Sequence, residues 1–261
     1  MLQGLPGSIR GSLPRSLGAD MKYTVVIPTY NEAHNLPPLV EAIRKLPHDF
    51  HLIIVDDNSP DGSGKLAEDL AKAHPQRMTV LHRPAKLGLG SAYRLGFAQA
   101  LQHGANAIAQ MDADFSHPPE KLSELAEALQ SCDVAMGSRY VPGGAVDRNW
   151  PAWRKGLSAF GNWYARTILG IPVRDVTGGF RMWRCEALQA MPFQQGNSQG
   201  YIFQVEMAYL AHRLGFAIRE IPFYFADRHQ GQSKMSLRIQ LEAAYKVWLI
   251  RFAYASLRPI K

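Results

Sequence analysis

From Lys22 onward the chain alternates between two hydrophobic rhythms. Short, nearly unbroken apolar runs at 23–28 (YTVVIP), 50–56 (FHLIIVD), 78–83 (MTVLHR), 105–112 (ANAIAQMD) and 133–139 (DVAMGSR) read as strands. Between them, 35–46, 64–74, 89–104 and 120–130 place apolar residues three and four positions apart, the spacing of amphipathic helices. A strand that is apolar at successive positions is buried on both faces, which happens when helices cover both sides of a parallel sheet. The pattern therefore predicts a doubly wound, mostly parallel α/β sheet.

Polar residues fall where such a sheet places ligands, beyond the carboxyl ends of its strands. The first strand runs into TYNE, the second into DNSPDGS, the fourth into ADFSH and the fifth into SRYVPGG. In MDADFSHPP, Asp112 and Asp114 stand one residue apart with no cationic neighbour in sequence. Two close carboxylates repel unless a cation lies between them, and a hard divalent ion accepts such oxygens while leaving positions for phosphate. Taken alone, the triplet reads first as a solvated turn and only second as a metal site. Gly88 and Gly90 open the next helical pattern, but Tyr93 stands where a dinucleotide fingerprint needs a third small residue, so these glycines predict a tight loop into a helix.

The chain has 261 residues, 46% of them hydrophobic, enough for one large domain with a tail. Cys132 and Cys185 have neither metal-ligand nor redox spacing and read as ordinary reduced thiols, which fits a cytoplasmic setting. The formal charge is +7, and much of the excess is C-terminal: Lys234, Arg238, Lys246, Arg251, Arg258 and Lys261 face Glu242 alone. With no nucleic-acid motif, this favours an anionic surface or ligand over DNA or RNA.

Three segments follow: residues 1–20, a disordered extension, an upstream start or a cloning remnant, with a transit peptide as the alternative; a catalytic-type domain over 21–236; and a basic amphipathic helix over 237–261. Charges interrupt that helix too often for a membrane span of about 20 apolar residues. Its stripe Leu237, Leu241, Tyr245, Trp248 and Phe252 reads first as core-facing and second as an interfacial surface. Residues 157–171 form a second amphipathic candidate.

The ordered set VVIPTYNE, IIVDDNSPDGS, KLGLGSAY, MDADFSHPP, GSRYVPGG, DVTGGFRMWR, GYIFQVEM and DRHQGQSKMS resembles glycosyltransferase family 2, and within it the polyprenol-phosphate or dolichol-phosphate mannose synthases, over about residues 22–250. The resemblance implies a GT-A-type nucleotide-sugar-binding fold. It places Pro28, Tyr30, Glu32, Val55 and Asp57 around the donor nucleoside, and Asp112, Ala113 and Asp114 at the nucleotide sugar, with Asp112 and Asp114 holding Mg2+ or Mn2+. Ser116 stands where some relatives carry Gln and is a weaker ligand candidate. Arg139, Arg228 and Lys234 match cations that hold the donor diphosphate or acceptor phosphate, with Asp114 and Arg139 as the catalytic pair, while Arg154 and Ser158 match residues near the lipid phosphate.

The implied reaction is an inverting transfer of mannose from GDP-mannose to a polyprenyl or dolichyl monophosphate; UDP-glucose or another donor is the alternative. An ionised phosphate needs no general base, so Asp175 is expected in a positioning or structural role. The implied location is peripheral, at the cytoplasmic face of a membrane, with a small membrane-anchoring subunit as the other way to reach lipid. A non-catalytic nucleotide-sugar sensor and a basic nucleic-acid binder are the competing classes. The intact charged motifs argue against the first, and their order against the second.

Overall fold

The computed structural model describes residues 21–196, 198–227 and 237–260, without the side chains of 237–241. The expected extension and the cations Arg228 and Lys234 lie outside the described residues.

The first five strands and four helices arise where the apolar rhythm places them. They are β1 (Tyr23–Thr29), α1 (Leu36–Arg44), β2 (Phe50–Asp56), α2 (Ser63–Ala73), β3 (Met78–His82), α3 (Leu89–Gln102), β4 (Ala107–Gln110), α4 (Lys121–Ala128) and β5 (Val134–Ser138). The chain continues through β6 (Ala145–Val146), α5 (Ala152–Leu169), β7 (Arg181–Arg184), α6 (Cys185–Ala190), α7 (Gly200–Arg213), β8 (Ile218–Pro222), β9 (Tyr224–Phe225) and α8 (Leu237–Ala253).

Seven strands form one sheet in the order β3-β2-β1-β4-β7-β5-β8, and β6 pairs with β9. Only β7 runs antiparallel within the large sheet, opposite both β4 and β5. The expected mostly parallel, doubly wound sheet is thus observed. Alternate side chains enter two cores: Val26, Ile53 and Val55 pack on one face with α3 and α7, while Val25, Ile27, Leu52 and Ile54 pack on the other with α1 and α4. Burial on both faces is why these runs are apolar without interruption.

Two features of this topology position the site. Strand order reverses at β1, which lies between β2 and β4, so the carboxyl ends of all three open into one crevice. Because β7 is antiparallel, its first residue pairs with Gln110 and Met136 near the carboxyl ends of β4 and β5. The loop 175–180 before it therefore arrives at the same edge.

Helix α3 enters from Gly88, whose φ of +95° is in the region that favours glycine. That bears out the tight-loop reading. Cys132 and Cys185 are buried and unbridged, and burial pushes their thiols up to about 11 and about 12, so both stay protonated.

The C-terminal stripe departs from its first reading. Helix α8 packs inward through Val247 and Ile250, while Tyr245, Trp248 and Phe252 point outward, Phe252 with 69% of its surface exposed. Val247 and Ile250 lie between the stripe positions, and the helix rotates their smaller aliphatic side chains into the core. Leu237 and Leu241 lie outside the described side chains.

Candidate active site

The first two polar clusters knit together. Asn31 and Glu32 donate their backbone N–H groups to the hydroxyls of Ser59 and Ser63 at 3.1 and 2.8 Å, and Ala33 donates to Asp61 at 3.0 Å. Asn31 and Asn58 take left-handed backbone conformations at the two strand ends, which asparagine tolerates. Glu32 accepts from Asn35 Nδ2 at 2.7 Å, and the Lys86 ammonium sits 3.8 Å above the Tyr30 ring. The loop thus presents an aromatic face, a carboxylate and a cation together.

Asp57 is more deeply committed than its motif indicated. Arg83 binds it through Nε at 2.5 Å and Nη2 at 2.7 Å, with both side chains buried, and Arg83 Nη1 also donates to Ser91. Strand β2 therefore ends in an ion pair tied to the start of α3. Pro28 and Val55 are register partners on the adjoining strands β1 and β2.

At the end of β4, Asp112 and Asp114 emerge from one turn. Tyr93 Oη donates to Asp112 Oδ1 at 3.1 Å, and the Asp112 N–H donates to His117 Nδ1 at 3.0 Å. Burial first, and then the Asp112 charge, push the Tyr93 phenol well above its ordinary pKa, so it remains a donor. Asp114 Oδ1 accepts from both the N–H and the hydroxyl of Ser116, at 3.1 and 2.5 Å. Ser116 thus orients a carboxylate here. Between them Phe115 holds a φ of +60°, a strained conformation for an aromatic residue, and Ala113 is buried.

No group of three or more His, Cys, Asp or Glu side chains able to hold a metal occurs among the described residues. Two oriented carboxylates nevertheless fit a hard divalent ion that takes its remaining ligands from water and substrate phosphates.

Arg139, in the loop after β5, enters a buried ion pair. Arg139 Nε and Nη2 donate to Asp175 Oδ2 and Oδ1, each at 2.7 Å, and Nη2 also reaches Thr177 Oγ1 at 2.9 Å. The Arg139 N–H and the Gly178 N–H add two further donors to that carboxylate, each at 3.0 Å. Burial pushes the Asp175 carboxyl up, but Arg139 and these hydrogen bonds outweigh it and hold the group below its ordinary value. Glu220 on β8 accepts the N–H groups of Arg174 and Asp175 and fixes the loop. Arg181, fully buried below it, is pulled down to about 10 by burial and remains charged at neutral pH.

Helix α5 brings the acceptor candidates to this edge. Ser158 Oγ accepts from Tyr140 Oη at 2.7 Å. Arg154 lies 3.7 Å over the Trp150 ring and pairs with Asp227 at 3.2 Å. That pair is partly exposed and of the kind that contributes little to stability. On the outer side of α5, Trp153, Phe160 and Trp163 are 68%, 56% and 58% exposed. Trp248 on α8 donates to Tyr164 Oη at 3.0 Å, which joins the aromatic surfaces of the two helices. Among the described residues no helix is long and apolar enough to cross a membrane.

The structure therefore gathers Pro28, Tyr30, Glu32, Val55, Asp57, Asp112, Ala113, Asp114, Arg139, Arg154 and Ser158 along one edge of the sheet. Sequence reasoning missed Arg83, His117, Asn162, Thr177 and Glu220. Arg83 carried a usable signal, as the last residue of a strand run; the others act through folds of the chain that no local pattern shows.

Residues 24–191 match the family model described as glycosyl transferase family 2. The chain belongs to glycosyl transferase family 2. The match contains the β4 aspartates, the Arg139–Asp175 pair and all of α5. A polyprenol monophosphomannose synthase from Mycolicibacterium smegmatis is 44% identical over 244 residues, 92% of each chain. An undecaprenyl-phosphate mannosyltransferase from Micrococcus luteus is 42% identical over 240 residues, 91% of this chain and 98% of that protein.

Among solved structures, glucosyl-3-phosphoglycerate synthase from Mycobacterium tuberculosis with Mn2+, UDP-glucose and phosphoglyceric acid superposes with a TM-score of 0.63 at 18% identity, covering 92% of this chain and 81% of that one. The same enzyme with Mg2+ and UDP gives 0.61 at 20% identity, covering 90% and 79%. The expected GT-A fold is borne out, and this family member is a glycosyltransferase.

Proposed function

We propose that the protein transfers mannose from GDP-mannose to a polyprenyl or dolichyl monophosphate, with inversion at the anomeric carbon. The likeness to two lipid-phosphate mannosyltransferases over nearly the whole chain supports the lipid and the sugar. The observation that carries the mechanism is the Arg139–Asp175 pair: the carboxylate of this loop is fully buried and bound by a guanidinium and two N–H groups, so it is unsuited to take a proton. A site without a base at this position suits a nucleophile that arrives ionised. A phosphate monoester has a second pKa of about 6 and meets that need at neutral pH.

The lipid phosphate oxygen attacks the anomeric carbon, forming the new C–O bond as the bond to the donor β-phosphate breaks and GDP leaves with the electron pair. Pro28, Tyr30, Glu32, Val55, Asp57 and Ala113 line the donor. Asp112 and Asp114 are the residues that would hold Mg2+ or Mn2+, whose charge when bound stabilises the leaving diphosphate. Arg139 commits Nε and Nη2 to Asp175 and Thr177, and in this reading its Nη1 meets a phosphate oxygen. Arg154, Ser158, Arg228 and Lys234 supply the remaining phosphate contacts in this reading.

The aromatic face of α5 and α8, with Arg154, Lys155, Arg166 and Arg251 on the same two helices, suits the headgroup boundary of a membrane. The protein would then work as a peripheral enzyme. The test is an assay of purified protein with polyprenyl phosphate, divalent ion and a panel of labelled nucleotide sugars. Transfer from GDP-mannose is expected; transfer from UDP-glucose alone would overturn the donor, and donor binding without transfer would make the protein a sensor.

A further inference from the structure

Asn162 lies on α5 with 2% of its surface exposed, in the middle of a helix whose other side is aromatic. A primary amide so placed needs partners, and it has four. Its Oδ1 accepts the N–H groups of Val176 and Thr177 at 2.9 and 3.1 Å, and its Nδ2 donates to Ser158 O at 3.1 Å and to Thr177 Oγ1 at 3.0 Å. Thr177 Oγ1 therefore has two donors: Asn162 from one side and Arg139 Nη2, at 2.9 Å, from the other.

Ser158 stands one turn before Asn162 and accepts from Tyr140, the residue after Arg139. Two consecutive residues of the β5 loop are thus tied to consecutive turns of one helix face, Tyr140 through Ser158 and Arg139 through Thr177 and Asn162. The opposite face of that helix carries Trp153, Phe160 and Trp163.

We propose that Asn162 and Thr177 are positioning residues that set the Arg139 guanidinium from helix α5, so that the acceptor-phosphate site takes its geometry from the helix that faces the lipid. The proposal rests on the function proposed above. Neither residue need touch substrate: Asn162 holds the 176–177 backbone, and the Thr177 hydroxyl fixes the second Nη2 hydrogen bond of a guanidinium whose other side-chain hydrogen bonds go to Asp175 and which lies against the Tyr140 and Phe225 rings. Loss of the hydroxyl leaves Arg139 paired with Asp175 but removes the hydrogen bond that ties the guanidinium to α5, so Nη1 is set less closely where it meets a phosphate oxygen.

Thr177→Val keeps the side-chain shape and removes the hydroxyl, whereas Thr177→Ser keeps the hydroxyl. Asn162→Ala deprives two backbone N–H groups of their acceptor and is a second, harsher break, to be read only if its thermal melt shows a folded protein. The full chain is assayed for transfer to polyprenyl phosphate, and GDP-mannose affinity is measured by calorimetry with divalent ion and without lipid. Thr177→Val is expected to lower kcat/KM for the lipid phosphate about tenfold or more, Thr177→Ser to return it to within about twofold of wild type, and both to bind GDP-mannose within about twofold of wild type.

Wild-type transfer by Thr177→Val would overturn the relay, as would equal losses in the Val and Ser variants or a parallel fall in donor affinity. Absence of mannose transfer by the wild type itself would instead overturn the function on which it rests.

Discussion

Arg139 and Asp175 meet through two 2.7 Å hydrogen bonds in the interior, on loops thirty-six residues apart in sequence. The pair closes the loop after β5 onto the loop before β7, so one contact shapes two walls of the site. Removing one member of a buried pair strands the other charge. Asp175→Asn should destabilise the fold by about 3–5 kcal/mol, read from the urea midpoint at neutral pH.

The same carboxylate sets an acid limit. Its folded pKa lies below the ordinary value of 3.8, so the folded state binds fewer protons than the unfolded chain as pH falls toward that value. Its contribution is complete above the unfolded pKa and is lost as pH drops through the folded one. A stability profile from pH 6 to pH 2 should therefore fall most steeply below about pH 4, and the Asp175→Asn profile should be shallower there. Equal acid slopes in the two proteins would place the titration elsewhere.

Asp114→Asn should remove divalent-dependent turnover and leave the melting temperature close to wild type, since the amide oxygen still accepts from Ser116. Excess chelator should do the same to the wild type. Full activity in chelator would sink the metal assignment, and a fully active, folded variant would sink the residue.

Tyr93→Phe tests how the partner carboxylate is held. The phenol donates to Asp112 Oδ1 from a buried position, and losing a group that orients a ligand costs about ten- to hundredfold in metal affinity. The divalent concentration for half-maximal activity should rise by that factor, with GDP affinity measured without metal unchanged. An unchanged metal requirement would make Tyr93 a packing residue.

The sheet was legible because burial on both faces writes a continuous apolar signal at β1, β2 and β4, and the rule of strand carboxyl ends then located Asp112 and Asp114. What local patterns could not show was partnership. Asp57 reads as a nucleoside contact, but no local pattern shows that Arg83, twenty-six residues away, binds it on both oxygens. Asn162 gave no signal of its own within the 157–171 amphipathic segment, and its part shows only where the 176–177 backbone closes on it. The α8 stripe was misread for a related reason: periodicity finds a face, but whether it turns inward depends on what neighbouring helices leave uncovered, and there Val247 and Ile250 fill the contact.

That uncovered face yields the last prediction. Phe160 and Trp163 pack on each other at 5.6 Å between ring centroids and are both more than half exposed, so truncating them removes little folded-state packing. Exposed substitutions of this kind usually change stability by less than about 0.5 kcal/mol. Fully burying one large apolar side chain is worth about 1.5–3 kcal/mol, and these rings would be only partly buried at an interface. Phe160→Ala with Trp163→Ala should therefore weaken sedimentation with anionic lipid vesicles by at least about tenfold, while the thermal melt stays near wild type. The loss should persist in high salt, because apolar contact is not screened as the helix cations are. Wild-type vesicle binding by the double variant would reassign this face to a protein partner, such as a small membrane-anchoring subunit, and remove the basis for direct lipid contact by α5.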